Sequence, residues 1–209
     1  MLDKFWEIFK VHGVEFADAR WEHHRITNIL FESRERTTYE SVSLGGYLRL
    51  LVNRNWIHIS FNDLNIDNIR NCVRIAIKQA NSLEKGCHTV ARSKGVKEEI
   101  KHYMKRDLAS VSLAEKVVVL SEYNKILVDK LKVRSSIAYN DDIVKRQYVN
   151  SEGTEIIEKR NQINVTVKAI AIEGTNIQES KDYMATRDYA DTEQLSTGWR
   201  KPRHVQRVN

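Results

Sequence analysis

One proline and eight glycines among 209 residues leave little room for long flexible linkers. The two cysteines, Cys72 and Cys87, are too few for a disulfide framework and match no metal-binding spacing, which suits a reducing, cytoplasmic setting. No apolar run approaches the roughly 20 residues that a membrane-spanning helix needs. The opening MLDKFWEIFK is amphipathic but charged throughout, unlike a secretion signal. Chemical signatures are missing too: there is no H-E-x-x-H, no H-x-x-x-H, no Cys-x-x-Cys and no phosphate-cradling glycine loop.

What is present has the make-up of a soluble globular protein, with 41% hydrophobic and 30% charged residues. The length suits one large domain or two small ones. The net charge of +6 is concentrated at one end: without Arg200, Lys201, Arg203 and Arg207 it falls to +2. A basic tail can hold phosphate backbones by counterion release. No nucleic-acid motif and no aromatic set arranged for stacking accompanies it, so nucleic acid is not expected as a partner.

The stretch from Ala17 to Leu64 organises the rest. Its three extended runs alternate with period two, which gives strands with one packed face and one mixed face. Ala17, Ala19, Trp21, Thr27, Ile29 and Phe31 share a parity in the first run. Leu48, Leu50 and Val52 oppose Tyr47, Arg49 and Leu51 in the second, and Ile57, Ile59 and Phe61 oppose Trp56, His58 and Ser60 in the third. Asn53-Arg54-Asn55 reads as a hairpin loop, since Asn tolerates positive φ. Gly45-Gly46 inside a strand marks a bulge or a close backbone approach.

Around this core, residues 2–12 have helical spacing and Gly13 closes them. Ile66 to Leu83 repeats apolar residues at three and four, a helix of about five turns capped at Asn62-Asp63 or Asn65 and ended by Gly86. Val96, Ile100, Tyr103 and Met104 suggest a further short helix. Ser112-Leu113-Ala114-Glu115 has capping-box form, opening a helix to about residue 132. Strands follow at Arg134–Tyr139, Val144–Asn150 and Glu155–Arg160, divided by turns at Asn140-Asp141-Asp142 and Ser151 to Thr154. Ile163 to Ala171 alternates without a break, and Glu173-Gly174-Thr175 turns it. From Lys181 the pattern fails. Meandering strands with grouped helices indicate an α+β fold, antiparallel sheets with two long amphipathic helices packed on them. The expected organisation is one domain over residues 1–180 and a loose basic tail over 181–209.

Candidate chemistry is sparse. Glu22-His23-His24 with His58 could offer metal ligands, but adjacent strand residues point to opposite faces. Asp141/Asp142 and Glu98/Glu99 read as solvated acids rather than acid–base pairs. Cys72 lies near the apolar stripe of its helix and reads as packing, while Cys87 follows a helix end, where the dipole raises a thiol pKa. No catalytic, metal-binding or cofactor-binding residue is assigned.

Several segments, in order, resemble the TldD/PmbA family, whose members are called modulators of DNA gyrase. ADARWEHHRITNILFES is similar to the family's opening strand, and TTYESVSLGGYLRLLVNRNWIHISFNDL to its glycine-containing second and third strands. SLAEKVVVLSEYNKILVDKLKVRSSIAYNDDIVKRQYVNSEGTEIIEKR resembles a helix, a strand and an N-S-x-G-T-x hairpin, and NQINVTVKAIAIEG the strand after them. The likeness runs from about Glu15 to Ser180, and the S-L-A-E-K entry looks more like the TldD branch.

The resemblance implies a zinc metallopeptidase whose H-E-x-x-x-H site lies in a C-terminal half, so zinc is expected only there. No His-Glu pair occurs in this sequence, and no ligand can be carried over. The implied role is an N-terminal scaffold that walls a substrate chamber and joins a homo- or heterodimer with a TldD/PmbA-type protein, inactive alone. Peptide or unfolded protein would be the substrate of the complete enzyme. The alternative is a subunit of a two-chain peptidase completed in trans, and a remote one is a small basic nucleic-acid-binding protein. The closing RDYADTEQLSTGWRKPRHVQRVN departs from the family and suggests a truncated, frameshifted or split gene product. An exposed edge of the Ile163–Ala171 strand is a possible peptide-docking edge, against the alternative that it is covered.

Overall fold

The computed structural model describes residues 2–130, 133–193 and 206–207, and its chain clusters into two compact units. The first comprises the residues up to His24, Ser43–Lys101 and Val144–Lys159; the second comprises Arg25–Val42, His102–Ile143 and those from Arg160 on. Four long strands each lend one end to either unit: β1 (Val14–Glu32), β2 (Glu35–Val52), β5 (Arg134–Asn150) and β6 (Glu155–Glu173). The antiparallel α+β architecture is as the sequence indicates.

In the first unit the strand order is β3-β2-β1-β5-β6, with β3 (Asn55–Phe61) antiparallel to β2 and β4 (Lys97–Lys101) parallel to β6. The odd residues of β1 and the even residues of β2 form the packed face, which α1 (Leu2–Phe9) and α2 (Ile66–Asn81) cover. Trp21 stacks on Phe5 at 4.8 Å between ring centroids, and its indole N–H donates to Gln147 Oε1. Asn53 and Arg54 both take positive φ in the β2–β3 hairpin. Gly46 is a close approach, since a Cβ there would sit 2.5 Å from the Phe61 ring and 2.7 Å from the Arg20 carbonyl oxygen.

Helix α2 begins where Asn65 Oδ1 accepts from the N–H groups of Asp67 and Asn68. It buries Ile69, Val73, Ala76, Ile77 and Ala80 but stops at Asn81, short of Gly86, leaving Leu83 exposed. The helix expected over Val96–Met104 is instead β4. Val96, Ile100 and Tyr103 are all exposed, so a helix there would bury no stripe, whereas the extended chain pairs with β6. Gly95 makes this possible, because a side chain there would run into the backbone at Glu152 and Gly153.

In the second unit the order is β2-β1-β5-β6-β7, and β8 (Gln206–Arg207) pairs with β7 (Asn176–Thr186). Helix α3 (Leu113–Lys125) packs on Ile29, Phe31, Ile137, Tyr139, Ile163 and Val165. The Ser112 hydroxyl accepts from Glu115 N–H, but the Glu115 carboxylate turns to Arg106 instead of completing a capping box. A π-type turn over Ile126–Lys130 then follows.

Of the two turns expected between these strands, Ser151 to Thr154 is a turn and Asn140-Asp141-Asp142 is not. Strand β5 runs unbroken through Asn140-Asp141-Asp142, because those polar side chains have partners: Asn140 donates to Asn28 Oδ1, and Tyr139 and Lys116 bond Asp141. Strand β6 joins the runs expected at Glu155–Arg160 and Ile163–Ala171 into one strand through Asn161-Gln162. The chain after Lys181 is also ordered further than expected. Strand β7 extends to Thr186 by backbone pairing with β6, and α4 (Tyr189–Glu193) follows with Tyr189 buried. The rest of the proposed tail, apart from the strand at 206–207, lies outside the described residues. Pairing with β7 also covers the β6 edge that had been considered for peptide docking.

Candidate functional site

The face of the first unit's sheet opposite α1 and α2 carries most of its buried and half-buried charge. On β1 the even residues Asp18, Arg20, Glu22 and His24 alternate with the apolar residues of the packed face. Tyr47 and Arg49 of β2 and Arg146 and Tyr148 of β5 stand beside them, since each shares a partner in that row.

Two linked groups make up this face. Asp18 is fully buried and accepts both Nε and Nη2 of Arg49, while the Tyr148 hydroxyl lies 3.4 Å from its Oδ2. The Arg49 guanidinium lies 5.3 Å from the Trp56 ring centroid, and Trp56 packs edge-on against Phe16. Asp18's hydrogen bond and charge raise the Arg49 pKa against the opposing effect of burial, so the cation is fixed. Burial, followed by the Asp18 charge, raises the Tyr148 phenol, keeping it protonated.

Glu22 centres the second group. Its Oε1 accepts from Arg20 Nη2 at 2.6 Å and Arg146 Nε at 2.7 Å, and Oε2 lies 3.2 Å from His24 Nε2. Arg146 extends to Glu158 Oε2 at 3.2 Å. Partial burial pushes the Glu22 carboxyl up, but the Arg20 and Arg146 hydrogen bonds, the Arg146 charge and His24 together bring it down to about 2. Such a carboxylate is no general base at neutral pH. Arg20, Glu22 and His24 line an open cleft of about 500 Å³ whose other wall is Ser43, Gly45 and Tyr47 of β2. The arrangement presents fixed charges and exposed strand backbone, suited to holding an extended polar chain rather than to proton transfer.

Among the sequence candidates, the structure joins Glu22 with His24 but leaves His23 and His58 exposed. No group of three or more His, Cys, Asp or Glu positioned to hold a metal occurs among the described residues. Glu98 and Glu99 are exposed on β4, and Glu99 pairs with Lys101 at 3.2 Å. Cys72 is exposed rather than packed, since it lies off the buried stripe of α2; Cys87 is exposed as well. Asp141, read as solvated, is buried in the second unit against Lys116. Sequence reasoning missed Asp18, Arg49, Arg146 and Lys116. The one available signal was charge at positions of regular spacing: Asp18 between Ala17 and Ala19, and Lys116 one turn before Leu120.

Family models match in two places: PmbA/TldA metallopeptidase domain 1 over residues 17–80, and the PmbA/TldA metallopeptidase central domain over residues 106–197. No curated protein matches the chain. Among solved structures, TldE from Thermococcus kodakarensis superposes with a TM-score of 0.73 at 16% identity, covering 93% of this chain and 44% of that one. A protein described as a modulator of DNA gyrase from Thermotoga maritima gives 0.72 at 16% identity, covering 93% of this chain and 45% of that one. One so described from Bacteroides thetaiotaomicron gives 0.70 at 17% identity, covering 89% and 44%. The chain thus spans less than half the length of each of these structures, and the likeness to them establishes the shared fold.

Proposed function

The chain belongs to the PmbA/TldD metallopeptidase family, and on that premise we propose that it is the scaffold of a TldD-like peptidase. It lines the substrate chamber, takes part in dimerisation, and does not cleave peptides by itself. The observation that carries this reading is the consecutive match to the first and central domains, over less than half the length of the solved relatives. The sequence contains no His-Glu pair from which an H-E-x-x-x-H helix could be built. The row Asp18, Arg20, Glu22, Arg49 and Arg146 supports a wall of fixed charge beside exposed strand backbone.

A cytoplasmic setting belongs to the same reading, supported by the free thiols of Cys72 and Cys87. Among the described residues no helix is long and apolar enough to cross a membrane.

The decisive experiment measures zinc content and cleavage of an unfolded peptide with the purified chain. Metal-free, inactive protein is the expected result. Zinc at one per chain, with activity lost on chelation, would sink the proposal. A second reading has the chain act as a subunit completed in trans, and it is supported by the separate core of each unit. It predicts that a polypeptide carrying the H-E-x-x-x-H half restores cleavage when mixed with this chain; a mixture as inactive as either component would reject it.

A further inference from the structure

Two adjacent glycines of β2 differ in what requires them. Gly46 is fixed from within, since a side chain there would strike the Phe61 ring and the Arg20 carbonyl oxygen. Gly45 has no such tie: its φ is not positive, and a Cβ built on it meets nothing within 4 Å. A glycine in mid-strand weakens the strand and marks a place where a ligand can approach the backbone closely. Here Gly45 lines the open cleft, with Ser43 and Tyr47 two residues away on either side along the same face of β2. Ser60 of β3 stands opposite Tyr47, but the β2–β3 pairing ends at Gly46 and Phe61, so the cleft opens outward at Gly45. These residues and Arg20, Glu22 and His24 all belong to the first unit.

The lining decides what can occupy the space. Glu22 has both oxygens engaged, because Oε1 accepts from Arg20 and Arg146 and Oε2 lies against His24. A cation would therefore meet no unengaged carboxylate in the cleft. Donors are in surplus. Arg20 gives Nη2 to Glu22 and lies beside Tyr47, leaving most of its guanidinium N–H groups on a side chain that is 37% exposed. The Ser43 and Ser60 hydroxyls are exposed in the same lining. Glu22 is shared with Arg146 and His24, so it neutralises Arg20 only in part. The planar fork of such an arginine matches a carboxylate. A phosphate fits less well, since it would set nearly two charges beside Glu22.

We propose that the cleft over Gly45 binds a ligand carboxylate, held by the Arg20 guanidinium with the Ser43 and Ser60 hydroxyls as further donors. The absent side chain of Gly45 makes the room, and Tyr47 walls one end. The carboxylate belongs either to a free organic acid or to the C-terminus of an extended peptide, which differ only in what lies outside the cleft. The inference goes beyond the scaffold reading by giving the charged face a ligand of its own, and it needs neither metal nor peptidase chemistry.

A nuclear magnetic resonance titration of the purified chain tests it, read at the Gly45 and Gly46 amides and the Arg20 Nε–H. Sodium acetate should produce saturable shifts that sodium chloride at equal ionic strength does not. Gly45→Val, which fills the space, and Arg20→Gln should each weaken acetate binding by about tenfold or more. Melting curves check that both variants fold; the valine enters open space, so it decides the matter even where the arginine variant does not fold. A serine–glycine peptide with a free C-terminus, and its C-terminal amide, separate the two sources. A free peptide binding more tightly than acetate, with the amide silent, assigns a peptide terminus; one binding no more tightly assigns a free acid. Shifts that rise linearly with acetate, that chloride reproduces or that survive Gly45→Val overturn the proposal. Tighter binding of inorganic phosphate than of acetate overturns it too, as does an amide that binds as well as the acid. Zinc binding or peptidase activity in the chain would refute the functional reading and leave these titrations unaltered.

Discussion

Lys116 Nζ lies 2.6 Å from Asp141 Oδ2 with both side chains 1% exposed, so α3 is joined to β5 through a buried ion pair. Thr27 Oγ1 accepts from the same ammonium at 3.2 Å, and the Tyr139 hydroxyl donates to the same carboxylate at 2.6 Å. Burial, then the Asp141 charge, raises the Tyr139 phenol far above its ordinary range, so it remains a donor throughout the neutral region.

Removing one member of this pair strands the other charge away from water. Lys116→Met or Asp141→Asn should each destabilise the fold by about 3–5 kcal/mol in urea titrations. Replacing both, as Lys116→Met with Asp141→Leu, should be clearly less harmful than the two single losses combined, because no unpaired charge remains. Strict additivity would show that the pair is not coupled.

The neighbouring glycines of β2 should respond oppositely to the same change. Gly46→Ala forces a methyl group into the Phe61 ring and against the Arg20 carbonyl, an overpacking expected to cost about 1–3 kcal/mol. Gly45→Ala meets open space at ordinary φ and should leave thermal stability unchanged or raise it slightly, by about 0.4–1 kcal/mol. Paired melting curves of the two variants check both statements. Equal losses would mean that the space beside Gly45 is filled.

The alternation of apolar residues made β1, β2 and β3 legible, because burial on one face of a strand imposes period two. The cap at Asn65 was legible for a similarly local reason: its side chain satisfies N–H groups only two and three residues away. What stayed hidden depends on distant partners. Asn140-Asp141-Asp142 reads as a turn until Lys116, Tyr139 and Asn28 supply their bonds, and β4 exists only because β6 provides a ladder. The charged face is the extreme case. Asp18 and Arg49 are 31 positions apart, and Glu22 and Arg146 are 124 apart, beyond any local pattern.

The cap gives a plain local test. Asn65→Ala removes the acceptor of the Asp67 and Asn68 N–H groups and should lower stability by about 1 kcal/mol, with Asn65→Asp retaining most of it. Urea midpoints at unchanged slope would measure the loss, and an unaffected midpoint would show that water replaces the side chain without penalty.

Glu22 sets a pH dependence whose sign follows from its environment. Its folded pKa, about 2, lies below the ordinary carboxyl value of 4.5 because Arg20, Arg146 and His24 outweigh the opposing effect of partial burial. The unfolded chain therefore binds the proton first as pH falls. The stabilisation is complete above pH 4.5 and is lost progressively on the way to about 2. With a quarter of the side chain exposed, solvent screening keeps the effect on the order of 1 kcal/mol. Glu22→Gln should be less stable than the wild type at neutral pH, and the gap should close on acidification through this window, since the amide cannot titrate. Stability measured by urea titration at steps from pH 6 downward would show the two curves converging; parallel curves would mean that Glu22 is no better partnered in the folded chain than in the unfolded one.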